Sequence, residues 1–461
     1  MRLSVLCVLF LLLISACRKE EVITTDSSAK LQFSADTILF DTVFTSVGST
    51  TRRLRVYNRN ENAVRISEIS LAGAGSSAFR ININGQPVDK ASRLELAGGD
   101  SLSIFIQVSI NPGSAALPFI VADSILFSTN GNRQAVKLRA YGQNAHFLNE
   151  EVIRGNVTWD RQLPYVVYNS ALVSKGAKLT IEKGARVYFH KGSKLLVAGT
   201  LDAQGDVNDS ISFSGDRLEQ IYSDEPGQWG GIHFLRESRN NIMQYSRIKN
   251  AVVGMRVDSL SNNADPKLIL SSSIIKNMEV AGLLLYNAEV SGFNNLIYNC
   301  GQFLVYGAFG GRYNFKQNTF AGLNFSFPRQ TPALYFSDHY SPGGEVQTAA
   351  LQISLVNNII WGSNDDELAL DRKGNGTFSL VLQNNFIKSK DSSFGINGNI
   401  LNVDPLFVDP RKGNFRLKVA SPALNKGLDL RQDIHFIPYL GLDLEKNMRI
   451  FPSELGCYEL N

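Results

Sequence analysis

Three consecutive carboxylates, Asp365-Asp366-Glu367, follow Trp361 in a turn-like stretch. Acidic groups beside an aromatic ring suit sugar binding, glycoside cleavage or calcium coordination, all of which use carboxylate oxygens. A solvated turn is the plainer reading of the same residues. Asp224-Glu225, just before Trp229, has the same two readings, and Asp404 and Asp409 each precede a proline and read as turn formers. Calcium is thus allowed as a cofactor but required by no pattern. Rings offer a second lead. Tyr335, Phe336, His339 and Tyr340 lie in a stretch rich in Pro, Ser, Gly and aromatics, residues 326–347, and Trp361 lies near it. Exposed rings stack on sugars, although the same rings would also serve to pack a long loop onto its scaffold. Long loops on rigid scaffolds are where binding concentrates. The candidate ligand-binding residues are therefore Tyr335, His339, Tyr340, Trp361, Asp365, Asp366 and Glu367.

Other chemistry finds little support. The five histidines have no metal-ligand spacing, and there is no Gly-x-Ser-x-Gly elbow, P-loop or dinucleotide fingerprint. Gly307-Ala308-Phe309-Gly310-Gly311 reads as a packed turn rather than a phosphate cradle. Lys249, Lys276, Arg312 and Lys316 are basic residues near repeat positions, but no catalytic motif maps onto them. No catalytic residue is nominated. The net charge of +4 is too small to suggest nucleic acid. Charged residues make up 19%, too few for a coiled coil, and 44% apolar residues are enough for large cores.

The elements that must hold these residues fall into two rhythms. Over residues 31–145, Arg53-Leu54-Arg55-Val56-Tyr57, Val64 to Ile69, Ser101 to Val108 and Gln134 to Tyr141 alternate polar and apolar with period two. That pattern predicts half-buried antiparallel strands in a sandwich. From about 150 the strands shorten and Gly or Asn separates them. A polar residue followed by an apolar strand recurs at Ser246, Ser273, Asn295, Asn318, Asn358 and Asn385, at intervals of 27, 22, 23, 40 and 27 residues. Such intervals fit the coils of a solenoid, with residues 326–347 thrown out of one coil as a loop. Asn tolerates the left-handed bend such coils need, and stacked Asn side chains can bond coil to coil. About a dozen coils at roughly 4.8 Å would give a rod of roughly 55 Å.

The order of strands around Leu54-Arg55-Val56-Tyr57-Asn58-Arg59, Ile66-Ser67-Glu68-Ile69 and Phe79-Arg80-Ile81 resembles Ig-like domains of the hydin-related type. The later repeat, with its Trp229-Gly230-Gly231-Ile232 step, resembles right-handed parallel β-helices of the pectate-lyase-like superfamily. The tail, with Asp404-Pro405-Leu406-Phe407, Ser421-Pro422-Ala423 and Glu454-Leu455-Gly456-Cys457-Tyr458-Glu459, resembles the ends of many β-helix surface proteins, with Glu-Leu where Asp-Ile is usual. The resemblance implies an all-β chain: an N-terminal Ig-like β-sandwich, a right-handed parallel β-helix over 150–401, and C-terminal coils and a cap over 402–461.

At the start, Arg2 precedes a twelve-residue apolar run from Leu3 to Ile14, long enough for a signal-peptide core and too short to span a bilayer. Leu13-Ile14-Ser15-Ala16-Cys17 resembles a bacterial lipobox, with Ile14 where Leu is commonest. The resemblance implies that residues 1–16 are removed, that Cys17 carries lipid, and that 17–30 form a tether. Arg18-Lys19-Glu20-Glu21 resembles a signal for export to the outer face of the outer membrane. Cys300 and Cys457 are the other thiols beyond the leader, and they read as two buried small side chains. The expected protein is lipid-anchored at the bacterial cell surface. Its partners are the membrane and a polysaccharide, and its β-helix is a glycan-binding, adhesive or structural surface. The alternative is a polysaccharide lyase or glycosidase. An enzyme needs two or three carboxylates and a Lys or Arg converging on successive coils, whereas a binding protein needs only an aromatic-lined face.

Overall fold

The computed structural model describes residues 22–45, 48–112, 118–325 and 328–460. The leader and Cys17 lie outside the described residues. The chain is nearly all β and divides into two compact units between Asn144 and Ala145.

The first unit is a two-sheet sandwich. One sheet runs Ile23–Thr24, Ala63–Leu71, Phe119–Thr129, Asn132–Gln143, Thr37–Phe44, with Lys90–Leu96 beside Ala63–Leu71. The other runs Gln32–Phe33, Arg52–Tyr57, Ser101–Val108, Phe79–Ile83, Gln86–Val88. Most pairs are antiparallel, as the period-two reading predicts. Along Ser101–Val108, Leu102, Ile104, Ile106 and Val108 are buried while Phe105 and Gln107 face outward. They meet Ile66, Ile69, Val136 and Leu138 of the other sheet in one core. Burying such side chains is worth about 1.5–3 kcal/mol each.

The second unit is a parallel β-helix. Its strands join a single 25-stranded sheet in which each pairs mainly with the strand one coil on, not with its neighbour in sequence. Three faces result, and each coil contributes a short strand to each. On the first face the inward position runs Val187, Phe213, Ile248, Ile275, Ile297, Phe320, Ile360, Ile387, Leu401. With His146 and Tyr165 before them, eleven rungs can be followed among the described residues. Ten spacings of about 4.8 Å give roughly 48 Å, slightly under the expected length. On the second face the inward ladder is Leu195, Ile232, Met255, Leu283, Val305, Leu334, Leu368. Like stacks on like, so each rung removes the next from water.

The six repeat positions recognised in the sequence sit in register at the turn leading into the first face. The Ser273 hydroxyl accepts from the Ser246 amide at 3.0 Å, and Asn295 Oδ1 accepts from the Ser273 amide at 3.0 Å. Asn318, Asn358, Asn385 and Asn399 continue the stack. Each Oδ1 accepts both the backbone N–H and the side-chain amide of the Asn one coil below, at 2.7–3.1 Å. The left-handed bend falls one residue earlier than the ladder itself, on Asn294, Gln317, Asn357 and Asn384, with φ of 53°, 59°, 59° and 49°. The ladder Asn residues therefore serve through their amides, and their predecessors take the bend.

Two expectations need revision. Residues 326–347 are not wholly a loop, because Leu334–Ser337 is a regular rung pairing with Val305–Gly307 below and Leu368–Asp371 above. The excursion is the hairpin of His339–Tyr340 with Gln347–Thr348. The tail, residues 402–460, does not lie over the last rung. It runs along the outer side of the first face, where Phe407, Phe415, Leu417, Leu455 and Cys457 cover Leu296, Ala321, Ile359 and Phe386. Asn294 donates to the Tyr439 and Leu442 carbonyls, Asn357 to Leu428 and Asn384 to Lys426, all within 2.9 Å. Lys446 reaches Asp206 at 2.8 Å, several coils lower. Phe394, Phe378, Leu380 and Leu401 pack at the end of the core itself.

Candidate functional site

Outward residues of the second face alternate with the core ladder and so line up coil on coil. Arg256, Leu284, Tyr306 and Tyr335 share one register, and Asp258 and Tyr286 share the next. The Tyr306 and Tyr335 rings are stacked, with centroids 5.2 Å apart and planes within 8°. Phe303 leans on Tyr306 at 4.9 Å. Tyr335 Oη donates to Asp371 Oδ2 at 2.7 Å. Burial first, then that carboxylate, push the Tyr335 hydroxyl far above its ordinary pKa.

The hairpin stands over this face. His339 is buried at its base, with Nδ1 3.4 Å from Asp338 Oδ1 and Nε2 3.7 Å from Asp371 Oδ2. Asp338 accepts the Lys373 and Gly374 amides at 2.8 and 3.0 Å, which fixes the hairpin root. Tyr340 projects outward, 47% exposed, and meets the Tyr286 ring edge-on at 6.2 Å. Between hairpin and coils lies an open groove of about 690 Å³, lined by Tyr340, Gln347, Tyr286, Phe309, Arg236, Arg256 and Asp258 among others.

The polar floor of the groove is tightly bonded. Asp258 receives Arg256 Nε at 2.9 Å and lies 2.7 Å from His233 Nε2. Burial works to raise the Asp258 carboxyl, but the His233 and Arg256 hydrogen bonds outweigh it and hold the group below its ordinary value. The Arg256 guanidinium also lies over the Tyr286 ring, 5.1 Å from its centroid. Beneath the groove, fully buried Lys267 donates to the carbonyls of Arg236 and Asp258 at 2.8 and 2.7 Å and to Ser259 Oγ at 3.0 Å. Burial lowers its pKa to about 8.

Of the seven candidates Tyr340 alone lines the groove; Tyr335 and His339 meet beside it around Asp371, and the other four lie elsewhere. Trp361 faces outward on the first face, edge-on to Phe386 at 6.0 Å and half-covered by the tail. Asp365 is exposed and pairs with Lys390 at 3.3 Å, and Asp366 accepts from Ser389 Oγ at 2.6 Å. Glu367 points inward. Its two oxygens each lie 2.6 Å from Arg329 Nη2, both side chains are fully buried, and the Ala333 and Asn364 amides complete its partners. A Cβ at Gly362 would lie 2.0 Å from Glu367 Oε1, so glycine is what makes room for this pair. Tyr286, Tyr306, Arg236, Arg256, His233 and Asp258 carry no local motif. Two outward registers, one holding His233, Arg256 and Tyr306 and the other Asp258 and Tyr286, reveal all but Arg236, which follows the strand Gly231–Phe234.

Of the other basic residues noted in the sequence, Lys276 pairs with Asp224 at 3.0 Å, Arg312 with Glu289 at 3.4 Å and Lys316 with Asp433 of the tail, while Lys249 donates to the Ser223 carbonyl at 3.1 Å. Among the described residues no group of three or more His, Cys, Asp or Glu side chains is placed to hold a metal. Nor does any described helix have the length and apolarity to cross a membrane. Cys300 and Cys457 are buried and unpaired, and burial pushes both thiols up to about 12.

The fold and groove define a parallel β-solenoid with a ligand-sized aromatic groove beneath a hairpin. The chain matches no known protein family and no curated protein. Similar solved structures include a family 123 glycoside hydrolase from Clostridium perfringens, at 9% identity over 26% of this chain and 30% of that one, with a TM-score of 0.19. A protein of unknown function from Porphyromonas gingivalis W83 matches at 12% identity over 27% of this chain and 60% of that one, with a TM-score of 0.18. The periplasmic chaperone SfaE matches at 12% identity, over 24% and 57% respectively, with a TM-score of 0.18. The chain thus spans less than two thirds of each of these structures, and similarity at this level carries no functional argument.

Proposed function

We propose that this chain is a lipid-anchored protein of the bacterial outer membrane, displayed at the cell surface, whose β-helix binds a glycan in the groove of its second face. The first unit then serves as an Ig-like spacer, and the β-helix is right-handed and pectate-lyase-like. One observation carries the binding reading: Tyr286 and Tyr340 flank a groove whose polar groups, Arg256, Asp258 and His233, are preorganised by one another. Ligand sites combine apolar rings with a few fixed polar groups in this way. Asp258 is the lone carboxylate among the groove's main lining residues, and its oxygens are already engaged. The enzymatic alternative asks for several converging carboxylates.

Two experiments test the reading. On a glycan array, Tyr340→Ala and Tyr286→Ala should each weaken binding by about tenfold, the size of a lost ring contact. Unchanged binding by both would move the site elsewhere. For the anchor, Cys17→Ser should release the protein from the membrane fraction, and proteinase added to intact cells should digest the wild-type body. Retention of the variant, or full protection of the wild type, would overturn the anchoring or the display.

A further inference from the structure

The β-helix ends on an open coil. Because the tail runs along the side of the stack, two of the last strands have no strand above them among the described residues. Leu368–Asp371 pairs with Leu334–Ser337 below, and Phe378–Gln383 with Leu351–Val356 below. The Leu351 amide donates to the Thr377 carbonyl at 2.9 Å, and the Asn357 amide to the Gln383 carbonyl at 3.2 Å. In a parallel pair, alternate residues turn both backbone groups to the same neighbour. Ser379 and Val381 therefore bond downward, while Phe378, Leu380 and Leu382 point up. The Leu382 carbonyl is taken, since it accepts from Asn399 Nδ2 at 3.0 Å. The N–H and C=O groups of Phe378 and Leu380 have no partner among the described residues. Their half-buried side chains form the rim of the core with Leu370 and Leu401.

Free strand edges are normally blunted by charge, proline, a bulge or brevity. Two other edges of this unit are. The first rung, His146–Ile153, carries Glu150 and Glu151 and is bulged between Asn149 and Glu151. Leu368–Asp371 is four residues long and carries Asp371. Phe378–Gln383 has none of these devices. No charged residue stands between Lys373 and Lys388, and the strand contains neither proline nor glycine. Its outward side chains, Ser379 and Val381, are exposed. Six uncharged residues rich in β-formers have the composition that pairs with itself.

We infer that Phe378–Gln383 pairs with the same strand of a second copy of this chain, antiparallel about a two-fold axis, and so joins two β-helices end to end. The free backbone groups of Phe378 in one copy then meet those of Leu380 in the other. Head-to-tail growth would set the strand against the bulged, acidic first rung instead, so association closes at two copies. One short strand pair with a half-buried apolar rim is a small interface, which makes the dimer weak and reversible. The inference stands apart from the glycan-binding reading.

The experiment is sedimentation equilibrium on the soluble body of the full chain (leader removed, Cys17→Ser). A monomer–dimer equilibrium should appear between roughly 1 μM and 1 mM, with no larger species. With Phe378 opposite Leu380, Ser379 faces Ser379 of the second copy; in the next allowed register it faces Val381. Ser379→Lys combined with Val381→Lys therefore sets like charges opposite each other in either case, and should weaken association by about tenfold or more. Ser379→Glu combined with Val381→Glu should do the same, and an equimolar mixture of the two double variants should pair. All four substituted side chains lie on the exposed side of the strand, so each variant's melting temperature should match the wild type's when dilute. Ile437→Lys, on the 94% exposed aliphatic of the tail, should leave association unchanged. A body that stays monomeric over the whole range overturns the inference. So do dimers that survive the double lysine substitution, a mixture that fails to pair, loss of association in Ile437→Lys, or growth beyond two copies.

Discussion

Glu367 and Glu459 are carboxylates removed from water in different ways. Glu367 is matched by Arg329 and two backbone amides, although burial outweighs them and holds its carboxyl above the ordinary value. Removing one partner of such a pair strands the other, which costs about 3–5 kcal/mol. Arg329→Met should therefore lower the melting temperature of the second unit markedly, while Asp365→Ala, on an exposed pair nearby, should leave it within experimental error. Equal effects would show that burial of the Glu367 pair is not what matters. Glu459 shares Arg449 with a crowded set of acids: Glu454, Asp443 and Glu459 are all buried around that one guanidinium. Burial, then the Glu454 hydrogen bond, raise the Glu459 carboxyl well above the ordinary carboxylate range despite Arg449. A raised folded-state pKa stabilises the protonated form. Its contribution is thus complete in acid below the ordinary carboxylate pKa and is lost as pH rises through the folded value. Melting temperature should fall as pH rises from weakly acid to weakly alkaline, and Glu459→Gln should flatten that slope. A slope unchanged by the substitution would assign it to other groups.

At the scale of elements, the Asn ladder and the hairpin make separable predictions. Asn318 satisfies the Asn295 amide below, donates to the Gly292 carbonyl and bonds Asn358 above. Asn318→Ala leaves several buried groups without partners, each worth about 1–3 kcal/mol. It should destabilise the second unit by at least about 2 kcal/mol in denaturant titration, whereas Asn263→Ala, in an exposed turn, should not. Much of this ladder was legible in the sequence, because a tight turn repeated coil after coil leaves the same residue type at nearly regular intervals. Where the 40-residue interval broke that regularity, the rung Leu334–Ser337 was hidden among turn residues. It pairs with strands about thirty residues away on either side, which no local pattern records. The site was legible in part for the same reason. Tyr335, His339 and Tyr340 are neighbours in the chain and neighbours in space, whereas Trp361 and Asp365 to Glu367 sit across a turn that sends them to another face or into the core. Glu367 reads as an acidic surface residue until Arg329, 38 residues earlier, is found beside it.

For the molecule as a whole, the tail decides how the second unit behaves. Its apolar residues cover a side of the β-helix that the rungs leave apolar, and its polar hooks span coils from Asp206 to Asn384. A chain ending at residue 402 should keep its rungs but expose Leu296, Ala321, Ile359 and Phe386. Dye binding to apolar surface should rise and solubility should fall relative to the full chain. A truncated protein as soluble as the parent, with no added dye binding, would show that the tail is dispensable. With the tail in place, coils that would otherwise fray singly are joined across the stack, so unfolding should follow one sharp transition rather than a rung-by-rung loss.

The ribosome makes that strap after the coils it covers. Until residues 402–460 emerge, the coils carrying Leu296, Ala321, Ile359 and Phe386 present a bare greasy strip to whatever is near. A growing chain therefore cannot finish this outer wall until the closing segment arrives.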